Sequence, residues 1–264
     1  MKKRFLVGGL VLAALQTPQA SSHSFNGFYV GGHLGSTQRH DKTTFQALDI
    51  EEQRPASRGG GRVRFEQNAL HKTNKAYGLN YGLYFGYGQI LKSFYWGGEF
   101  NVSYDTANKG NTNNNLEVKA NGVSRSGTGY HGRLYTKYER GVVFGFTPRI
   151  GIVIADVNLV YFKLGIEYSE DKLLSVWKGI QDGSPVGHQD PLSVVRKKQI
   201  VFVPGFGYER AFGNLLTRIE YGYTVGAKIQ SPPLIKEAYS NEYHCPSAVR
   251  YSAHTLKLGI AYKF

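Results

Sequence analysis

The 264-residue chain has little that would let it fold or anchor by the commonest routes. It contains a single cysteine, Cys245, which cannot form a disulfide within the chain and lies too far along it to serve as a lipid attachment site after signal cleavage. After the predicted signal segment no apolar run reaches the roughly 18 residues that a transmembrane helix needs. The only methionine is Met1, and acidic residues are few, with 19 Asp and Glu against 32 Lys and Arg.

The excess of positive charge favours some partners and excludes others. The formal net charge is +13, of which about +10 would remain after the amino-terminal segment is removed. Such a surface suits anionic lipid headgroups or sulfated glycans. Nucleic acid is excluded as a partner, because the chain reads as exported and carries no recognisable nucleic-acid-binding motif.

The amino terminus predicts export. It reads MKKRFLVGGLVLAALQTPQASSHS, a cationic head followed by an apolar core too short to span a bilayer and then by small residues. We therefore expect residues 1–22 to be a signal peptide, with cleavage between positions 20 and 24, and residues 25–264 to form one domain.

What is abundant is glycine and aromatic residues, with 33 Gly, 19 Tyr and 15 Phe, a composition that favours strands. Large apolar side chains recur at every second position, the period of a β-strand with one apolar face. We count eight such segments, near 25–36, 76–88, 94–104, 138–153, 159–169, 199–211, 215–228 and 254–264. Aromatic residues such as Tyr104, Tyr168, Tyr208 and Phe264 lie near the segment ends.

The alternate positions of these segments hold glycines and charges of both signs. A soluble sandwich would also alternate, but it has less reason to place glycine among balanced charges. In a membrane barrel the apolar residues face lipid, the others fill the lumen, and opposite charges must pair because little water is present. The predicted lumen ion network is Glu99, Arg149, Lys163, Glu167, Glu209, Arg218, Glu220 and Lys257.

The connections between segments alternate in length. Short turns near 89–93, 155–158 and 212–214 alternate with long connections near 37–75, 105–137, 170–198 and 229–249. Short turns on one side and long loops on the other are typical of outer-membrane barrels. The sequence therefore predicts an all-β fold: an eight-stranded antiparallel transmembrane β-barrel with short periplasmic turns and four long extracellular loops. Such a barrel has room only for its own side chains, so we expect no large aqueous pore.

Several stretches resemble a known family. FNGFYVGGHLG, PRIGIVI, FGYERAF, LLTRIEYGYT and the final HTLKLGIAYKF are similar to the small outer-membrane β-barrel surface proteins of alphaproteobacteria and relatives, which include opacity-type and porin-like surface antigens and hemin-binding members. The resemblance covers the strands and not the loops. It implies location in the outer membrane of a Gram-negative bacterium and roles as envelope structure, surface antigen or adhesin. It also implies that the barrel assembly machinery recognises the terminal Phe264.

The predicted loops supply the candidate binding residues. Arg54, Arg58, Arg62 and Arg64 surround a glycine run expected to forbid regular structure, and they form either a patch for an anionic ligand or a solvated, mobile loop. His40, His71, His131, His188 and His244 also fall in predicted loops, and they are the candidates if heme is bound. They lack any metal-ligand spacing, so the sequence predicts no metal site and no resident cofactor, heme being the open alternative.

We expect no catalytic residues, because serines and histidines are scattered along the chain and a pair as close as Ser252 and His254 occurs by chance. The sequence therefore predicts a non-enzymatic outer-membrane surface protein that acts through its basic loops. A hemin-binding surface protein and a narrow porin-like channel are the alternatives. The expected partners are outer-membrane lipids and lipopolysaccharide, the barrel assembly machinery, and host surface glycans or proteins.

Overall fold

The computed structural model describes residues 24–45, 48–54, 61–67, 70–107, 111–116, 119–121, 131–181, 184–186, 191–226, 228–230 and 247–264. The predicted signal peptide, residues 1–22, lies outside the described residues, as does Cys245. Within these ranges no helix is long and apolar enough to cross a membrane.

The chain in these ranges folds into long strands with short accessory ones. The long strands are β1 (Gly27–Phe45), β4 (Leu70–Leu91), β5 (Phe94–Asp105), β8 (His131–Ile154), β9 (Asn158–Gln181), β11 (Pro191–Phe212), β12 (Leu215–Thr224) and β14 (Ser247–Lys263). The short strands are β2 (Leu48–Arg54), β3 (Gly61–Gln67), β6 (Asn111–Leu116), β7 (Lys119–Asn121), β10 (Ser184–Val186) and β13 (Lys228–Gln230).

The eight long strands close into a ring. Each pairs antiparallel with the next long strand along the chain, in the order β1, β4, β5, β8, β9, β11, β12 and β14. The last strand returns to the first, with a register that runs from Tyr29 opposite Lys263 to Phe45 opposite Ser247. The predicted eight-stranded antiparallel barrel is confirmed.

Alternation sorts the side chains between the two faces of this ring. The outward positions carry a continuous band of exposed apolar residues, among them Leu83, Phe162, Ile200 and Leu258. The inward positions between them are buried and hold glycines, tyrosines and charged groups. Because a closed barrel leaves no strand edge unpaired, this apolar band can face hydrocarbon, and the fold is that of a transmembrane barrel.

Tight turns lie at one end of the barrel, with the carboxyl terminus. Lys92, Ala155, Asp156 and Gly213 have positive φ values of 58°, 50°, 59° and 63°, which is the backbone geometry of tight reversals. Phe264 lies at the same end and donates its backbone N–H to the carbonyl of Phe28 at 3.0 Å. We call this the periplasmic end, because the sequence predicts that the short connections face the periplasm.

The strands run further at the opposite end than the sequence indicates. β1 continues to Phe45, β8 begins at His131, β9 continues to Gln181 and β11 begins at Pro191, so much of the predicted loop sequence is paired β-structure. The expectation that the glycine run forbids regular structure is wrong at its edge, since β3 begins at Gly61 and pairs with β2. Backbone pairing continues here although the side chains no longer alternate between apolar and polar.

Candidate functional site

The periplasmic end of the lumen is closed by a cluster of tyrosines and small apolar residues, which we call the periplasmic plug. Its buried members are Phe25, Tyr29, Tyr84, Tyr95, Leu159, Tyr161, Ala211, Leu216 and Ala261. The tyrosine rings occupy the space above inward-facing glycines. A Cβ on Gly88 would lie 2.6 Å from the Tyr95 ring, and one on Gly207 would lie 2.5 Å from the Tyr161 ring. Many of the inward-facing glycines therefore make room for tyrosine rings. The sequence had indicated that they make room for charged side chains.

Arg149 is the centre of the charged layer beside this plug. Its guanidinium lies 3.1 Å from Glu209 and 3.8 Å from Glu99, and its side chain has no exposed area. It donates hydrogen bonds to the hydroxyl of Tyr95 at 3.0 Å and to that of Tyr29. A fully buried charge is tolerated only when it is paired and hydrogen-bonded in this way.

Arg218 forms the second centre. Its guanidinium donates two hydrogen bonds to the carboxylate of Glu99, at 2.6 and 3.0 Å, and stacks 3.5 Å from the centre of the Tyr84 ring. It also lies 3.8 Å from Glu220, which accepts from Lys163 at 2.7 Å. Six of the eight predicted lumen residues thus form one connected network across non-adjacent strands.

The other two predicted lumen residues lie beside this network, Lys257 directly opposite Glu220 on the neighbouring strand. Glu167 pairs with Arg140 at 3.0 Å, and Lys257 lines a small cavity that Glu167 and Glu220 also line. His33 lines the same cavity, stacks on the Tyr84 ring and lies 3.0 Å from the side-chain oxygen of Asn80. The cavity measures ≈ 30 Å³, which is room for about two water molecules.

A second cluster closes the lumen at the extracellular end, and we call it the extracellular plug. Its buried members are Tyr138, Leu173, Val201, Val203, Ile229, Val249 and Tyr251. Tyr138 donates to Asp171 at 2.5 Å, and Arg39 pairs with Asp41 at 2.8 Å while stacking on the Tyr138 ring. Burial raises the pKa of Tyr138 well above its ordinary value and that of Tyr251 to about 12, so both phenols stay neutral.

Several residues that complete these layers were not among the predicted lumen residues. Arg140, Arg39 and Asp41 were missed because they lie beyond the apolar alternation, in sequence interpreted as loop. Tyr84, Tyr95 and Tyr161 lie on the same parity as the lumen charges, so the alternation itself carried the signal for them. A register shift between Arg140 and Val143 separates the extracellular part of β8 from its membrane part.

The structure describes the backbone of three of the four arginines in the first predicted loop. Register sets Arg62 opposite Gln53, Arg64 opposite Glu51 and Arg54 opposite Gly61 in the β2–β3 hairpin, whereas Arg58 lies outside the described residues. Glu51 opposite Arg64 means that an acidic residue is built into this basic segment, so the hairpin is less basic than its arginines alone indicate.

Three of the five histidines considered for heme lie among the described residues. His40, His71 and His131 lie on β1, β4 and β8, so the prediction that they occupy loops is wrong, while His188 and His244 lie outside the described residues. His40 is opposite Lys75 and His71 opposite Thr44, which separates the two histidines by four residues, or about 13 Å along the strands.

The neighbour of His40 is instead His254, whose ring centre is 5.8 Å away on the outward face. His40 lies 3.2 Å from the Gln38 amide and His254 lies 2.6 Å from the Tyr221 hydroxyl, so no carboxylate orients either ring. Among the described residues, no group of three or more His, Cys, Asp or Glu side chains is arranged to hold a metal ion.

The chain is similar to known proteins in structure and not in sequence. No family model matches the chain, and no curated protein matches it. The outer membrane protease OmpT from Escherichia coli is similar at 10% identity and a TM-score of 0.40, covering 93% of this chain and 99% of its own.

Two further solved structures are similar at lower scores. Neisserial surface protein A has 14% identity and a TM-score of 0.33, covering 94% of this chain and 100% of its own. Ail, the attachment invasion locus protein of Yersinia pestis, has 13% identity and a TM-score of 0.33, covering 90% of this chain and 99% of its own. At these values no activity is carried from any of the three to this chain.

Proposed function

We propose that this chain is a non-enzymatic surface protein of a Gram-negative outer membrane, in which a sealed barrel holds extended strands and basic loops outside the cell. The observation that carries the proposal is the closed lumen. Apolar plugs occupy both ends, paired charges fill the middle, and the cavity between them is ≈ 30 Å³. A barrel of this kind offers its outer surface for function, and its interior supplies rigidity.

The absence of an oriented nucleophile supports the non-enzymatic part. In the described part of the chain, the hydrogen bonds of the two rim histidines go to the Gln38 amide and the Tyr221 hydroxyl, and neither goes to the carboxylate that orients a catalytic histidine.

Planar-bilayer recordings of the refolded protein test the sealed barrel. We expect no steady open-channel current at physiological salt, since conduction would require the Arg149 and Arg218 ion pairs to separate at low dielectric. Steady single-channel steps in the wild-type protein would establish the narrow-channel alternative in place of this proposal.

Binding of fluorescent heparin to intact bacteria that display the protein tests contact with anionic surfaces. Replacing Arg54, Arg58, Arg62 and Arg64 by Gln should lower the bound heparin several-fold, and added salt should do the same to the wild type. The matched control is Lys92→Gln with Lys263→Gln, which removes cations at the periplasmic end. Unchanged heparin binding by the arginine variant would contradict the assignment to this loop.

A further inference from the structure

A row of cations that form no ion pair with a carboxylate of the described residues lies on the outer surface just beyond the apolar band. Lys42 on β1 is directly opposite Arg250 on β14, and Arg250 is directly opposite Lys228 on β13. Lys75 on β4 lies diagonally beside Lys42, since it pairs with His40. All four side chains are exposed, and we call them the cation row.

This arrangement costs free energy unless an anion is present. Like charges at directly opposite positions of neighbouring strands destabilise a sheet. Among the described residues, no carboxylate lies within ion-pair distance of Lys42, Lys75, Lys228 or Arg250. The row therefore favours a negatively charged ligand that lies across several strands.

On the opposite side of the barrel, at the same height above the apolar band, cations lie close to carboxylates. There Lys137 pairs with Glu139 at 2.5 Å, Lys172 lies 4.0 Å from the same carboxylate, and Arg196 lies 3.9 Å from Glu170. The hydrogen bond from Lys137 lowers the pKa of Glu139, which keeps this pairing charged.

The strands that carry most of the row also form an apolar groove on the lipid-facing surface. Gly32 takes an outward position on β1 where neighbouring outward positions carry large side chains, and the groove around it measures ≈ 760 Å³. Its walls include Leu34, Leu83, Leu258 and Ile260, from β1, β4 and β14. A Cβ at Gly32 would meet no heavy atom closer than 3.5 Å, so no packing contact of the barrel accounts for the glycine.

The groove and the row are continuous along these strands. Leu79 in the groove wall is four residues from Lys75, roughly 13 Å along β4, and Lys75 is the next outward residue after the exposed Tyr77. The hydrogen-bonding side chains of Gln38, His40 and His254 lie between groove and row.

From these two features we propose that the β4–β1–β14 face is a binding site for a phosphorylated glycolipid of the outer leaflet. An acyl chain lies in the groove over Gly32, and the phosphate groups lie against Lys42, Lys75, Arg250 and Lys228. The inference rests on the proposed outer-membrane location, because only there does the apolar groove meet acyl chains directly below phosphates. The ligand is a membrane glycolipid and not a soluble anion, because a soluble anion has no acyl chain to fill the apolar groove.

The test measures binding of purified lipid A to the refolded full-length protein in zwitterionic detergent, by native mass spectrometry. Diphosphoryl lipid A should bind at least tenfold more tightly than lipid A without phosphates, and the difference should shrink with salt. Lys42→Gln with Arg250→Gln should weaken diphosphoryl lipid A binding by about tenfold to thirtyfold. The matched control, Lys172→Gln with Arg196→Gln, removes two cations from the opposite side and should change it less than twofold.

A second variant tests the groove. Gly32→Leu fills it, and should weaken binding of diphosphoryl lipid A while leaving binding of its deacylated, phosphorylated sugar unchanged. Equal affinity for phosphorylated and phosphate-free lipid A, or equal losses in the two double variants, would overturn the proposal. Heparin binding by whole cells and bilayer conductance do not involve this lipid, so the proposed function can fail or stand separately.

Discussion

Replacing Arg149 should be among the most destabilising single changes in the barrel. Its guanidinium is buried without exposed area and satisfies Glu209, Glu99 and the hydroxyls of Tyr29 and Tyr95 together. Arg149→Met keeps much of the side-chain volume and removes the charge. The change leaves Glu209 with Arg218 as its remaining cation, at 4.0 Å, in place of a contact at 3.1 Å.

The expected loss in the free energy of unfolding follows from the poorly paired Glu209 carboxylate that this substitution leaves in the lumen. Removing one partner of a buried pair typically costs about 3–5 kcal/mol, because the other charge stays buried without compensation. For comparison, Lys172 has a side chain that is 37% exposed and lies 4.0 Å from Glu139. Lys172→Met should cost about 1 kcal/mol or less, since exposed pairs contribute little.

Urea unfolding of the refolded barrel in detergent, followed by tryptophan fluorescence to which lipid-facing Trp96 contributes, measures both variants. The midpoint for Arg149→Met should fall by roughly 1 M or more, and that for Lys172→Met should hardly move. Adding Glu209→Gln to Arg149→Met removes the stranded charge, so the double variant should be more stable than the sum of the single losses by about 1–3 kcal/mol. If Arg149→Met were no less stable than Lys172→Met, the ionic layer would not be a stabilising element.

Three further predictions concern other parts of the barrel. Gly86→Ala should cost about 1–3 kcal/mol, since its Cβ would collide with the Tyr29 hydroxyl and lie 2.8 Å from the Gly98 carbonyl, whereas Gly32→Ala should be neutral in the same urea assay. Deleting Phe264 should reduce the protein recovered in the outer-membrane fraction and leave lipid A affinity unchanged; equal recovery would refute this. Burial raises the pKa of Asp41 although Arg39 opposes it. Asp41 therefore stabilises the fold at acid pH and loses that contribution as pH rises through its folded pKa. Asp41→Asn should flatten the stability profile in the range just above the ordinary pKa of an aspartate, where the raised folded pKa of Asp41 makes stability fall with pH.

The strand number, the closure and the sorting of faces could be predicted because a period of two fixes them together. Once Phe85 and Leu83 face outward, Gly86 and Tyr84 must face inward, and the same holds for Glu99 between Gly98 and Phe100. Short connections at alternate positions then leave one topology for the eight segments.

The partners inside the lumen could not be predicted from alternation. Arg149 is on β8 and Glu209 on β11, and Glu99 is on β5 and Arg218 on β12, so each pair crosses the lumen between strands that are not neighbours. Which inward residues meet depends on the tilt and stagger of the closed barrel, and no local pattern encodes these. The extracellular strand extensions were missed for a different reason, since Arg39, Asp41 and Thr43 are inward polar residues where the membrane part has glycine.

The tyrosines explain how so many charges share a narrow lumen. Tyr29 and Tyr95 accept hydrogen bonds from Arg149, Tyr161 donates to Glu220, and Tyr84 covers the face of Arg218. Each ring fits over an inward glycine of another strand, as Tyr84 does over Gly31. Ring and glycine together fill the width of the barrel, and the hydroxyl takes a hydrogen bond that water would otherwise supply. The lumen is therefore stabilised as a packed interior in which phenols hold the charges, while Lys42, Lys75, Lys228 and Arg250 lie exposed at the outer rim.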